Sequence, residues 1–310
     1  MQIKNKIRDV LISFAPIREL LFFIFQKKVY KGHVDKKITA IFNGNRKLSQ
    51  KRIDNLIVSL TSFPQRIAEV KYTVYSLLDQ SILPEKIILW LEESKFPNKE
   101  HGLPEELLAL KKFGFVIGWC ENLKSYCKLI PALEQYPDYY IITVDDDIYY
   151  RRKWLEKLWF EHVKFPNEII CHVADKVLFK DKNVLPYAQW EKTIKGEYTN
   201  LQIFGLGAGG ILYCKKYLYK DINRSDLFLK LAPYADDIWF YFMTILNSTT
   251  VRIVKNPYNK IKYVNPYREY GLNKEHRLSS INVDNDQNDW QFKNVAEYYN
   301  IDLYLLINKG

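Results

Sequence analysis

The amino-acid sequence predicts an α/β fold with a mostly parallel central sheet flanked by helices. Three observations carry that expectation. From Leu56 to Val144, apolar β-type runs alternate with helical ones in a β-α-β-α-β-α-β order, the pattern of a parallel sheet with helical crossovers. The fourth β-type run ends in three consecutive carboxylates, Asp145, Asp146 and Asp147, at the edge where open α/β sheets bind ligands. Finally, 47% of the 310 residues are hydrophobic, enough to bury a sizeable core.

The chain opens on a basic arm. Residues 1–52 hold thirteen Lys and Arg against three acids, an excess equal to the whole net charge of +10, so residues 53–310 are neutral. A nucleic-acid binder would spread positive charge over its folded surface, so no nucleic-acid partner is expected. Ile3, Ile7, Val10, Leu11 and Phe14 recur at helical spacing, Pro16 interrupts them, and Ile17, Leu20, Leu21, Ile24 and Phe25 form a second stripe. The apolar run LLFFIF falls far short of the ~20 residues that a membrane span needs. With the lysines that follow, the arm reads as an interfacial anchor on an anionic membrane surface. The alternative is that these helices cover the body of the protein and the lysines are solvated.

Residues 53–255 form the body. NLIVSLTS is a buried strand, and the helix after it carries Val70, Val74, Leu77 and Leu78 on one face. KIILWL is the second strand, Pro104 opens a helix, FVIGW is the third strand, and SYCKLIPALEQY is helical on either side of its proline. After the acids come the amphipathic helix WLEKLWFEHV, the strand EIICHVA, and an irregular excursion over 175–200 that could form an acceptor surface. The β-type run IFGLGAGGILYC, the helix of ADDIWFYFMTIL and the short strand VRIV follow. Residues 256–310 are polar and Asn-rich without a long periodic run, and read as an extension packing on the body. The stretch NVDNDQNDW there reads as a loop. Neither a G-x-G-x-x-G nor a Walker A pattern occurs. The cysteines Cys120, Cys127, Cys171 and Cys214 show no C-x-x-C spacing, which suits a reducing cytoplasm. His162 and His172 have no metal-ligand companions in sequence and read as structural.

The chemistry is concentrated in three places. Clustered like charges cost stability unless a cation offsets them. Alternation along an extended chain would point Asp145 and Asp147 to one side and Asp146 to the other. Such a D-x-D pair can hold a hard divalent ion, Mn²⁺ or Mg²⁺, and leave positions open for phosphate oxygens. A solvated acidic turn is the alternative, and the buried strand in front argues against it. Gly205–Gly210 packs four glycines into six positions, so Gly209 and Gly210 could let backbone approach a donor or acceptor sugar, or simply form a bulge. Asp236 and Asp237 stand at a helix start, where one would cap free N–H groups and the other could orient a sugar or act as a base. Arg66, Lys124 and Lys128 supply positive charge near the same sheet edge.

In that order, the motifs S-L-T-S-F-P-x-R-I (Ser59 to Ile67), K-L-I-P-A-L (Lys128 to Leu133), D-D-D-I-x-Y (Asp145 to Tyr150), G-x-G-G-x-L-Y (Gly207 to Tyr213) and A-D-D-I-W (Ala235 to Trp239) resemble those of glycosyltransferases of the GT-A fold. The resemblance is to a bacterial polysaccharide-type group, with some similarity to exostosin-type transferases, and covers residues 54–250. It implies a metal-dependent transferase moving a hexosyl group from a nucleoside-diphosphate donor such as a UDP-sugar to a glycan or lipid-linked glycan in surface polysaccharide assembly. It further implies a cytoplasmic enzyme, peripheral on the inner face of the cell membrane. Carried over by position, Asp145 and Asp147 would bind the metal and Asp145 and Asp146 the donor. Thr61, Ser62, Arg66 and Lys128 would border the nucleotide, together with Gly209 and Gly210. Asp237 or Asp236 would be catalytic. One departure is that Val173 and Ala174 follow His172, where relatives often carry an arginine. The polysaccharide-type pattern suggests inversion and the exostosin-type pattern retention. Two other functions stay open from sequence: a sugar nucleotidyltransferase, although SLTSFPQR lacks its Gly-rich basic loop, and a non-catalytic membrane-associated carbohydrate-binding module.

Overall fold

The computed structural model describes residues 32–194, 196, 199–265 and 287–308. Among these, an eight-stranded sheet is built from β1 (Arg52–Thr61), β2 (Leu83–Glu92), β3 (Phe115–Cys120), β4 (Tyr140–Thr143), β5 (Ile169–Cys171), β9 (Thr199–Asn200), β11 (Ile211–Tyr213) and β12 (Val251–Ile253), in the spatial order β3-β2-β1-β4-β11-β5-β12-β9. The expected α/β architecture with a mostly parallel sheet is present: β3, β2, β1, β4, β5 and β12 share one direction, and β11 and β9 run against it.

Side chains alternate across this sheet, as the two-residue period of a strand requires. Leu56, Val58 and Leu60 of β1, Ile142 and Leu212 pack on one face beneath α2 (Ile67–Leu78) and α5 (Trp154–Lys164). Ile57, Ile141, Ile211 and Tyr213 enter the other core, beneath α4 (Ile130–Gln135), α6 (Ser225–Leu231) and α7 (Asp236–Leu246). Both faces are covered, which explains why β1 reads as a continuous apolar run rather than an alternating one.

Several expectations need correction. EIICHVA is not one strand: β5 stops at Cys171, and Ala174–Lys176 forms β6, which pairs with β10 (Ile203–Gly205) in a separate two-stranded sheet. The excursion contains the hairpin β7 (Phe179–Lys180) and β8 (Asn183–Val184). Its Trp190 is buried, with the indole N–H donated to Leu185 O at 2.7 Å, so this aromatic belongs to the core. The carboxyl-terminal stretch does contain a long helix. α8 (Gln287–Tyr298) buries Gln291, Phe292 and Val295, the last two in the core that includes α7. Its polar composition hid the pattern, because Gln291 occupies an inward position normally held by an apolar residue. Of NVDNDQNDW, residues 282–286 lie outside the described residues, and the rest opens this helix.

The described part of the basic arm is docked. α1 (Gly32–Phe42) buries Ile41 and packs the Phe42 ring edge-on against Tyr75 and Phe113. Asp79 fastens it, pairing with Arg46, with Lys37 at 3.9 Å and with Arg152 at 3.1 Å. The stripes over residues 3–25 lie outside the described residues. Among those described, no helix is long and apolar enough to cross a membrane.

Candidate active site

Topology brings the three chemical stretches to one sheet edge. β4 leaves the sheet at Thr143, and its antiparallel partner β11 enters opposite it at Ile211. The acids after β4 therefore lie beside the glycines before β11. β1 is parallel to β4, so Thr61, Ser62 and Arg66 emerge at that same edge.

The acids do not alternate as an extended chain would. Asp146 and Asp147 sit in a turn, held by the Thr73 hydroxyl donating to Asp146 O at 2.7 Å and by Val264 N–H donating to Asp147 O at 2.7 Å. Arg66 consequently reaches both carboxylates with one nitrogen, at 2.7 Å to Asp146 and 2.8 Å to Asp147, while Asp145 turns to Lys128 at 3.2 Å. Asp146 is buried and accepts a short hydrogen bond from the Ser62 hydroxyl. Burial works to lower the Arg66 pKa, but Asp146 and Asp147 outweigh it and raise the value above the ordinary one. Asp145 is the open member, with about a third of its side chain exposed.

Lys128 connects the two acidic clusters. Its fully buried ammonium lies 3.2 Å from Asp145 and 2.9 Å from Asp236. Burial again opposes the charge, and Asp145, Asp236 and Asp237 overcome it, holding the amine well above its ordinary range. Asp236 and Asp237 open α7, as expected, yet neither side chain caps it. Asp236 takes the lysine. Asp237 turns to the glycine turn, accepting Gly207 N–H on Oδ2 at 3.1 Å, while its buried Oδ1 has no hydrogen-bond partner. Burial pushes the Asp237 carboxyl up to about 7, Asp236 adds to the shift, and Lys128 and the Gly207 N–H work against it.

The glycines are explained by packing. A Cβ on Gly207 would meet both Asp237 Oδ1 and Lys128 Nζ at 2.9 Å, so only glycine lets the chain pass over this pair. Gly210 has φ +89°, and its Cβ would fall 2.2 Å from the Trp154 ring; a Cβ on Gly209 would lie 2.5 Å from Val173. On the side where a Cβ would stand, the space beside Gly209 and Gly210 is thus taken by Val173 and Trp154. Thr61 donates its hydroxyl to Trp90 O at 2.9 Å, and is a sheet residue in this structure.

Sequence reasoning missed three supporting residues. Tyr150 accepts Asp145 N–H at 3.1 Å and donates to Ala208 O at 3.3 Å, joining the acid turn to the glycine turn. Trp154 donates its indole N–H to Gly209 O at 2.7 Å. Gln291 accepts Tyr234 N–H and Ala235 N–H at 2.8 and 3.0 Å, fixing the entry to α7 from a helix more than fifty residues away. Tyr150 is the last residue of the D-D-D-I-x-Y motif, but the motif alone assigned it no partner. His172 is structural, as expected: Tyr258 N–H donates to its Nδ1 and Nε2 lies 3.0 Å from Trp154 O. Burial holds it neutral, down to about 4.

Five carboxylates meet two paired cations, Arg66 and Lys128, among the described residues. Asp145, Asp147 and the unpartnered Asp237 oxygen are hard donors, the type that Mg²⁺ and Mn²⁺ take. No three His, Cys, Asp or Glu side chains converge as a ready metal set among the described residues. The arrangement fits an ion held by one or two carboxylates that completes its shell with water and phosphate oxygens.

Compared with models of known protein families and with curated proteins, the chain finds no match.

Proposed function

We propose that the protein is a metal-dependent glycosyltransferase of the GT-A type, moving a hexosyl group from a nucleoside-diphosphate sugar to a glycan or lipid-linked glycan. The observation that supports this best is the single connected site in which Lys128 joins a strand-end D-D-D turn to the Asp236–Asp237 pair beneath a glycine turn. A buried, partly neutralised acidic cluster of this kind is costly to maintain in a merely structural role.

In this reading Asp145 and Asp147 hold Mn²⁺ or Mg²⁺, which when bound offsets the charge growing on the diphosphate leaving group. Arg66 keeps Asp146 and Asp147 in one fixed turn, so the two carboxylates are preorganised. Asp237 is the acid–base residue. A carboxyl raised to about 7 is poised to take a proton from an acceptor hydroxyl near neutral pH. Asp236 holds Lys128 and, through it, the distance between the two clusters.

A thermal-shift titration with nucleoside diphosphates, with and without Mn²⁺, tests the donor site. Slow release of UDP from a UDP-sugar without acceptor tests the chemistry. A shift that needs both nucleotide and Mn²⁺ supports the proposal; stabilisation by neither, with no UDP released, leaves a non-catalytic module. The membrane role is proposed for the apolar stripes over residues 3–25 and the lysines that follow them, since Gly32–Phe42 and Arg46 are engaged with the body. Removing residues 1–31 should abolish co-sedimentation with anionic liposomes and spare turnover of a soluble acceptor.

A further inference from the structure

Cys120 ends β3, and Cys127 lies in the tight turn Lys124–Lys128 that follows it. Their sulfurs are 2.8 Å apart, and both side chains are buried. Leu91 O lies 3.7 Å from Cys120 Sγ, and Glu121 O lies 3.5 Å from Cys127 Sγ. The Cys120 thiol donates to Cys127, which holds the Cys127 thiol below its ordinary value against the effect of burial. Cys171 and Cys214 are buried as well, but are not paired with one another. The residue after Cys127 is Lys128, the cation that joins the two acidic clusters.

We propose that Cys120 and Cys127 form a redox modification site, oxidised by hydrogen peroxide to an intramolecular disulfide that fastens the turn carrying Lys128. The Cys127 thiolate attacks one peroxide oxygen, the O–O bond breaks, and hydroxide leaves to become water, giving a sulfenic acid. The Cys120 sulfur then displaces that hydroxyl from Cys127, its proton leaving with the hydroxyl as a second water. Two thiols and one peroxide become one disulfide and two waters. Peroxide is close to water in size, which suits a pair with so little exposure, and a bulky disulfide reagent would be a poorer oxidant here. The seven-residue separation closes a small loop, so oxidation constrains residues 121–126 with little rearrangement of the sheet.

The test uses the full folded chain and does not depend on any transfer activity. After peroxide treatment and quenching, the protein is unfolded in an alkylating reagent and its peptides are weighed. Cys120 and Cys127 should resist alkylation, their linked peptides should have lost two hydrogen atoms, and a reductant should restore both thiols. Cys171 and Cys214 should remain alkylatable. Amide hydrogen exchange over 121–128 should slow in the oxidised protein. Alkylation of both Cys120 and Cys127 after peroxide, or equal oxidation of all four cysteines, overturns the site. A disulfide that leaves the exchange of 121–128 unchanged overturns the fastening role. In Cys120→Ser, peroxide should carry Cys127 on to the sulfinic acid, read as a gain of two oxygen atoms that a reductant does not reverse; a Cys127 that the reductant restores to the thiol in that variant counts against the pairing.

Discussion

The two acidic clusters at the sheet edge are built in opposite ways. The Asp145–Asp147 turn lies at the surface end of a strand, and each of its carboxylates has a cationic nitrogen within 3.2 Å. The Asp236–Asp237 pair lies at a buried helix start, shares one lysine with the first cluster, and leaves Asp237 Oδ1 without a partner. The first cluster is paired with Arg66 and Lys128 at the open edge; in the second, burial raises Asp237 toward neutrality. Identical side chains thus acquire different chemistry from solvation and partner number alone.

Lys128→Met should have the largest effect, since it removes what the clusters share. Asp145, Asp236 and Asp237 would then face one another without their buried counter-charge, a loss of about 3–5 kcal/mol in urea unfolding at pH 8. The loss should shrink at pH 5, where Asp237 is protonated. An equal loss at both pH values would mean that the clusters are electrostatically independent.

Asp237→Ala should cost about 10²- to 10⁴-fold in turnover, and Asp236→Ala should act mainly on stability by releasing Lys128. Wild-type turnover should rise with pH to a plateau above about 7, as the raised Asp237 carboxyl ionises. Stability should move the other way. The folded form binds the Asp237 proton more tightly than the unfolded chain, so this contribution to stability falls as pH rises from about 4 to about 7 and is flat beyond. Asp237→Asn should remove that slope. Near-normal turnover in both alanine variants would leave the pair structural.

Asp147→Asn should abolish the Mn²⁺-dependent part of nucleotide binding, read as a thermal shift, with the fold retained. A shift unchanged at limiting Mn²⁺ would move the metal assignment away from the first cluster. The smallest effect is expected at Gln291→Leu, which strips acceptors from Tyr234 N–H and Ala235 N–H. It should cost about 1–3 kcal/mol and blur the distinction between Asp236 and Asp237 in turnover.

Much of this arrangement was legible in the sequence. β1 to β4 follow from apolar runs between helical ones, and the positions of Asp145 to Asp147 and of Asp236 and Asp237 follow from where those runs end. Lys128 and Arg66 were visible only as charges near an edge; Arg66 bridges two carboxylates through a turn at Asp146 that strand alternation could not foresee, and Lys128 bridges Asp145 to Asp236 of a distant helix. Gln291 was invisible because a buried amide looks like a surface residue until its two backbone donors are known. Gly209 and Gly210 showed that something approaches closely, but not that it is Val173 and Trp154.

The backbone fastenings of the site carry a consequence for synthesis. Val264 N–H holds the acid turn and Gln291 holds the start of α7, although every acid and cation they support is encoded upstream of residue 238. A nascent chain that has released Asp237 from the ribosome therefore still lacks the segments that set its geometry. The site matures only when nearly the whole polypeptide has emerged, and a chain truncated before residue 264 would carry every chemical group with neither of these clamps.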